Sequence, residues 1–247
     1  MFGRTPAGAG IKLGSMASAK KRGWNRTTPG TGGGVLVVGL GQFGSALALT
    51  LDNLGQDVLA VDRSPKVIAQ WAHRFPVVQA DATDPEALEQ LGAAEFEVGV
   101  VGIASSLESS VLVTANMADL GIKQIWAKVE TAKHAKIIER VGANHIVNPE
   151  ADAGARVAHL VSGRMLDYIE VEDGFTIVKM MAPLEVVGSA LAQLDMRRRF
   201  GVTVIGVKSP NQPFRFAEAA TVISAYDIIV VSGAPQDLEH FAARPMA

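Results

Sequence analysis

The chain contains no cysteine. That absence removes disulfides, thiolate metal sites and cysteine nucleophiles together, and it fits a reducing compartment, so a cytoplasmic protein is expected. Long apolar runs are missing too. Stretches such as Val35 to Leu40 and Val98 to Ala104 fall far short of the roughly 20 residues that cross a bilayer as a helix, so no spanning segment is expected. The first residues hold no continuous apolar core of about 7–15 residues, so a secretory signal is not expected either. Tyrosine is scarce: neither Tyr168 nor Tyr226 has a lysine four residues on, which excludes the Tyr-x-x-x-Lys proton-handling arrangement. The five histidines (His73, His134, His145, His159, His240) are scattered without metal-ligand spacing, and solvated or capping roles are expected for them.

Acidic residues are absent from the first 34 positions, which carry Arg4, Lys12, Lys20, Lys21, Arg22 and Arg26. With a formal charge of −2 for the whole chain, the remainder is therefore clearly acidic. A Gly-rich basic terminus of this kind reads as a solvated, disordered extension over residues 1–33, and Met16 is an alternative start within it. Beyond the tail, 247 residues at 48% hydrophobic and 19% charged suffice for one or two globular domains.

From Val35 onward, short β-branched runs alternate with amphipathic stretches, the pattern of repeated βαβ units and a parallel sheet. Six strands are expected: Val35–Val38, Val58–Val61, Pro76–Gln79, Val98–Ile103, Gln124–Lys128 and His145–Val147. Between the first two, Phe43, Leu47, Leu51 and Leu54 carry helical spacing and are expected to face the sheet. Ser64-Pro65 and Asp84-Pro85 each put a capping side chain before a proline at the first helical position, and Gly55, Gly92, Gly121 and Gly142 read as helix stops. A further helix over Ala151–Val161 precedes a change of pattern. Strands at Tyr168–Val171 and Phe175–Met181 flank a Glu-Asp-Gly turn, followed by a helix near Ser189–Leu194, strands Val202–Lys208 and Ile228–Val231, and a last helix from Pro235. The expected fold class is α/β: a Rossmann-like six-stranded parallel sheet over 34–150, a connecting and dimerisation helix over 151–166, and a small α+β lobe over 167–247.

The chemistry concentrates at Gly39-Leu40-Gly41-Gln42-Phe43-Gly44, which follows a strand and opens a helix. Gly39 permits the tight turn, Gly41 lets the backbone approach phosphate, and Gly44 lets helix pack on strand. Free N–H groups at the helix start then bind the anion. Asp62 ends the second strand, 18 residues after Gly44, placed to accept ribose hydroxyls. Its charge argues against a 2′-phosphorylated ligand, an inference that the neighbouring Arg63 softens. NAD(H) and adenosine phosphates both fit.

Several segments together carry a resemblance: Val35 through Gly44, Val58-Leu59-Ala60-Val61-Asp62, Asp81-Ala82-Thr83-Asp84, Ile125-Trp126-Ala127-Lys128 and Gly142 through Glu150. With Leu194-Asp195-Met196-Arg197 and Gly201 through Ile205 in the second lobe, the sequence resembles the cytosolic regulatory subunits of bacterial potassium uptake systems, the KtrA/TrkA family of RCK proteins. The resemblance implies a homo-oligomer of dimers forming an octameric ring, peripheral on the inner face of the cell membrane beneath a KtrB- or TrkH-like potassium-translocating subunit. It implies ATP and ADP as ligands favouring different ring shapes. On this reading Asp62 holds ribose, Gly41 and Gly44 admit the phosphates, Asp81 and Ala82 border the base, and Lys128 lies near the phosphates. Glu150 matches the family's acid after the sixth strand, where it would help hold a divalent cation, Mg2+ or Ca2+, bridging phosphates. One departure is Gln42, where related chains carry an arginine that reaches the γ-phosphate; glutamine supplies no charge, which favours NAD(H). Some relatives bind cyclic di-AMP in the second lobe, and Arg197, Arg198 and Arg199 beside Phe200 are the residues here that could face a phosphodiester.

Two other functions compete with a nucleotide-gated regulator that is not an enzyme. One is a small NAD-dependent oxidoreductase. The other is a DNA-binding redox sensor, for which residues 1–34 have neither the length nor the apolar periodicity of a winged helix, so no nucleic-acid partner is expected.

Overall fold

The computed structural model describes residues 33–161, 163–172 and 174–246; the basic tail expected over 1–33 lies, but for Gly33, outside them. The described chain divides into two units, with the boundary after Pro149.

The first unit alternates strand and helix. β1 (Val35–Val38) leads through the glycine turn into α1 (Gln42–Asn53), followed by β2 (Val58–Asp62), α2 (Pro65–Trp71), β3 (Val77–Gln79) and α3 (Pro85–Gln90). Then come β4 (Val98–Val101), α4 (Leu107–Asp119), β5 (Gln124–Lys128), α5 (Ala132–Arg140) and β6 (His145–Val147). All pairings are parallel and the strand order is β3-β2-β1-β4-β5-β6. The order reverses between β1 and β4, where Val35 pairs with Val58 on one side and Val98 on the other. Neighbouring helices must diverge there, which opens a crevice at the carboxyl ends of the strands.

The period-two alternation of the strands sorts their side chains to two cores. Val37, Ala60, Val77 and Val100 pack under Ala48 of α1 and Ile68 of α2, with Phe75. Leu36, Val38, Val61, Val101 and Ile125 pack under Leu88, Val113, Met117 and Ile138 from α3, α4 and α5. Side chains cap the helices where the sequence places them. Ser64 accepts from the Val67 N–H and Asp84 from the Glu86 N–H, while Gly55, Gly92, Gly121 and Gly142 all take positive φ.

Three expectations need correction. Leu54 does not join the buried stripe of α1: the helix ends at Asn53, and Leu54, its C-terminal cap, is 70% exposed. β4 stops at Val101 rather than Ile103; at Gly102 the backbone passes so close to the glycine turn that a Cβ would meet the Gly39 carbonyl oxygen at 2.7 Å. The helix expected at Ser189–Leu194 is only the turn Leu191–Leu194; Asp195 adopts a left-handed φ of 46° and a second short helix, Met196–Phe200, follows.

The second unit opens on α6 (Pro149–Val161), whose first residue belongs to the unit before it, and continues with β7 (Asp167–Glu172) and β8 (Phe175–Met181). The short helices α7 (Leu191–Leu194) and α8 (Met196–Phe200) precede β9 (Val202–Lys208), β10 (Arg215–Phe216), β11 (Ile228–Gly233) and α9 (Pro235–Ala242). The sheet is antiparallel throughout, ordered β10-β9-β11-β8-β7. Val178, Met180, Ile229 and Val231 pack against Leu238 and Phe241 of α9. No residue of α6 is buried. Its anchors within the unit are polar: Arg156 to Asp167 at 2.6 Å, and His159 to Glu239 at 2.9 Å with the His159 ring stacked on Tyr168.

Candidate functional site

A cavity of about 300 Å³ occupies the crevice at the β1/β4 reversal. Its floor is the glycine turn. Gly39 holds φ +90°, donates its N–H to Val61 O at 2.8 Å, and has no room for a side chain, since a Cβ would lie 2.7 Å from Ile103 Cγ1. Gly41 is the N-cap of α1 and a Cβ on it would meet nothing within 4 Å, so the backbone there faces open space. No side chain caps α1 and no acid sits in its first turn. The positive end of the helix dipole and the first N–H groups therefore remain available to an anion. Gln42 and Phe43 line the cavity as expected. Gly44 does not. It is buried behind the turn, where a Cβ would fall 1.9 Å from the Gly39 carbonyl oxygen, so its task is to bring helix onto strand.

Asp62, at the end of β2, braces this turn. Its Oδ2 accepts the Leu40 N–H and its Oδ1 the Ser64 N–H, both at 2.8 Å. Each carboxylate oxygen keeps a further lone-pair direction for a hydroxyl. Arg63, Asp81, Ala82 and Thr83 continue the wall. Asp81 Oδ1 accepts both the hydroxyl of Thr83, at 2.7 Å, and its N–H, at 3.0 Å. The Thr83 hydroxyl, then its N–H, and finally the Arg63 charge hold the Asp81 carboxyl below the ordinary carboxylate range against a modest cost of burial.

The opposite wall comes from the β4–α4 loop and the end of β5. Ser105, Ser106 and Ser109 line it, with Lys128 and Glu130. Ser106 caps α4 by accepting the Ser109 N–H. Lys128 was expected here from the sequence, whereas Glu130 and these serines were not. A Ser-Ser-x-Glu run before an apolar helix is an N-cap signal, and its place at the strand-order reversal puts it on the cavity. Next to this wall lies His134, whose Nε2 is 3.1 Å from the buried Ser110 hydroxyl. Burial pushes its imidazole below the ordinary histidine value, and Glu130 partly opposes this. Among the described residues no histidine and no tyrosine lines the cavity.

Glu150 opens the second unit, in the first turn of α6. Among the described residues no three His, Asp or Glu side chains group as a metal ion would need.

In the second unit the arginine run splits into three tasks. Arg197 donates through Nε to Thr203 Oγ1 at 2.9 Å and lines a shallow depression with Asp195 and Glu218. Arg198 pairs with Asp195 at 2.6 Å. Arg199 turns to Glu185 and lies over the Phe200 ring, as does Arg244. The run is thus not one cationic surface.

Comparison with known proteins agrees with this architecture. Residues 35–149 match the model of the TrkA-N domain and residues 175–245 that of the TrkA-C domain. The chain is 32% identical over 210 residues to the Ktr system potassium uptake protein C of Bacillus subtilis (strain 168), an alignment covering 84% of this chain and 95% of that protein. It is 31% identical to the Ktr system potassium uptake protein A of the same organism, over 83% of this chain and 93% of that one. Among solved structures, the GsuK RCK domain shares the fold with a TM-score of 0.61 at 18% identity, over 89% of this chain and 50% of that one.

Proposed function

The chain belongs to the TrkA family, with Ktr potassium uptake proteins as its relatives, and from that premise we propose that it is the nucleotide-sensing regulatory subunit of a potassium uptake system. The observation that carries this reading is the cavity at the β1/β4 reversal, floored by an uncapped helix N-terminus and walled by Asp62. Phosphate oxygens take the N–H groups at Gly41–Phe43, ribose hydroxyls take Asp62, and the base lies toward Asp81 and Ala82. The pyrophosphate of ATP or ADP meets the turn in the same way as that of NAD(H).

What lies beyond the pyrophosphate separates these ligands. The far wall offers Lys128 against Glu130, with the hydroxyls of Ser106 and Ser109, and Gln42 adds no charge. Net neutrality with several hydroxyls suits a second, neutral nucleoside as well as it suits a terminal phosphate, so NAD(H) is the second reading. Glu150 as a cation ligand would need further oxygens from the phosphates or from a second copy. Cyclic di-AMP in the second unit rests on Arg197 and Arg198, each already bonded within the lobe; calorimetric heat on adding it supports that site, and its absence removes it.

On this proposal the protein is a switch rather than an enzyme. A ligand moves a ring between two shapes only by its differential affinity for them, and the shape is read by the membrane-embedded potassium-translocating partner. Titration of the purified protein with ATP, ADP and NADH, with an oligomer mass and a hydride-transfer assay alongside, tests the proposal. Saturable adenine-nucleotide binding to an octamer without turnover supports it. Sustained hydride transfer would replace it with an oxidoreductase.

A further inference from the structure

Asn116 lies on α4, away from the glycine turn. Its Nδ2 donates to two consecutive backbone carbonyls, Ala82 O and Thr83 O, both at 3.1 Å. The segment it grips, Asp81–Thr83, lines the cavity on the side assigned above to the base. Within that segment both donors of Thr83 go to Asp81 Oδ1, so Oδ2 is not used by the turn. Asp84 is committed to capping α3, and Ala82 is buried. The loop is thus folded on itself and then pinned from outside by one amide. The pin stands on the same helix whose Ser109 and Val113, the latter one turn earlier, line the cavity together with the N-cap Ser106. Nothing in the composition of the loop requires that second anchor, because an Asx turn of this kind closes on its own bonds.

We propose that Asn116 is a positioning residue for base recognition: by holding the Ala82 and Thr83 carbonyls it fixes the direction of the Asp81 carboxylate and makes the site selective for adenine. The inference rests on the nucleotide-binding reading and deepens it. The chemistry is that of donor matching. Adenine presents an exocyclic amino group, which a carboxylate accepts; hypoxanthine presents a carbonyl oxygen at the same position, which a carboxylate repels. With Ala82 O and Thr83 O occupied by Asn116, the ionised Asp81 is the acceptor the wall offers. Without Asn116 the two carbonyls lose their donor, the loop gains freedom, and the carboxylate can swing from the base edge. Discrimination falls even though Asn116 touches no ligand.

The test is calorimetric titration of the full-length protein with AMP, ADP and IDP, on wild type, Asn116→Leu and Asn116→Asp. Leucine is close in size, favours helix and cannot donate; aspartate keeps the shape and turns the donor into an acceptor. The ADP:IDP affinity ratio reports the base wall, and the ADP:AMP ratio reports the glycine turn. We expect both variants to lose on the order of tenfold in the ADP:IDP ratio, the scale of one or two hydrogen bonds, while the ADP:AMP ratio stays within about twofold. A purely structural role would lower all three affinities together and leave both ratios unchanged, which would overturn the inference, as would wild-type selectivity in either variant. Wild type that binds none of the three nucleotides would overturn the functional reading itself, and this inference with it.

Discussion

Replacing Gly44 and Gly41 with alanine, one at a time, separates folding from binding within a single turn. At Gly44 the new Cβ would lie 1.9 Å from the Gly39 carbonyl oxygen, where ordinary van der Waals contact is 3.4–4 Å. The obstacle is backbone, so α1 must move roughly 1.5 Å off the β1 turn, and overpacking of this kind costs about 3 kcal/mol. For a unit this size that is a drop of about 10 °C in melting temperature. At Gly41 the backbone is at φ −66°, ψ −168°, a region open to alanine, and the methyl meets nothing within 4 Å. Alanine is a poorer N-cap than glycine but lowers the entropy of the unfolded chain. The two effects oppose, leaving about 0.5 kcal/mol or less. The methyl does stand where phosphate must approach the backbone, so ADP affinity should fall at least about tenfold, or ~1.4 kcal/mol. Circular-dichroism melts and calorimetric titration with ADP measure both. Gly44→Ala melting with the wild type, or Gly41→Ala binding ADP with wild-type affinity, would refute the assignment of the turn.

Other predictions follow from single bonds. Asp62→Ala leaves the Leu40 and Ser64 N–H groups without their acceptor and should cost about 2–3 kcal/mol, with Asp62→Asn intermediate, by urea unfolding; wild-type stability in both would show that the brace is idle. Burial lowers the His134 pKa from its ordinary 6.5, so the unfolded chain binds protons more readily than the folded one. The stability linked to His134 is therefore complete above about pH 6.5 and is lost as the pH falls below it. Urea midpoints on either side of that pH should converge in His134→Gln, and an unchanged pH slope would contradict this. Asp81 has the lowered carboxyl, so its contribution is present above the ordinary carboxylate value and lost as the pH falls through the folded one; Thr83→Val should move its NMR titration upward, and no movement would deny the Thr83 hydroxyl its role.

Much of this was legible because the first unit is built from local rules. β-branched runs bounded by capped helices place six parallel strands to within a residue or two, and a glycine turn between strand and helix marks the candidate site. The candidate residues read from the sequence that line the cavity are those of the turn, Gly39, Gly41, Gln42 and Phe43, and those at or just beyond the strand ends, Asp62, Arg63, Asp81, Ala82 and Lys128. What was not legible depends on contacts distant in the chain. Gly102 and Gly44 crowd the same Gly39 carbonyl; Glu130 joins the wall only because β5 ends beside β4. The arginine run reads as one patch, yet on the short helix Met196–Phe200 successive side chains point about 100° apart, and Arg197, Arg198 and Arg199 reach Thr203, Asp195 and Glu185. Strand β10 has two residues and no periodicity to detect.

On the proposed function, a nucleotide in the β1/β4 cavity changes the state of an assembly. Solution scattering of the purified oligomer, its mass fixed beforehand, recorded with saturating ATP, ADP and NADH and with no ligand, tests it most directly. The account predicts that at least one bound nucleotide gives a profile distinct from another, and that Gly41→Ala abolishes the difference. Identical profiles with every nucleotide demonstrably bound would contradict it, because a ligand with equal affinity for two shapes shifts nothing.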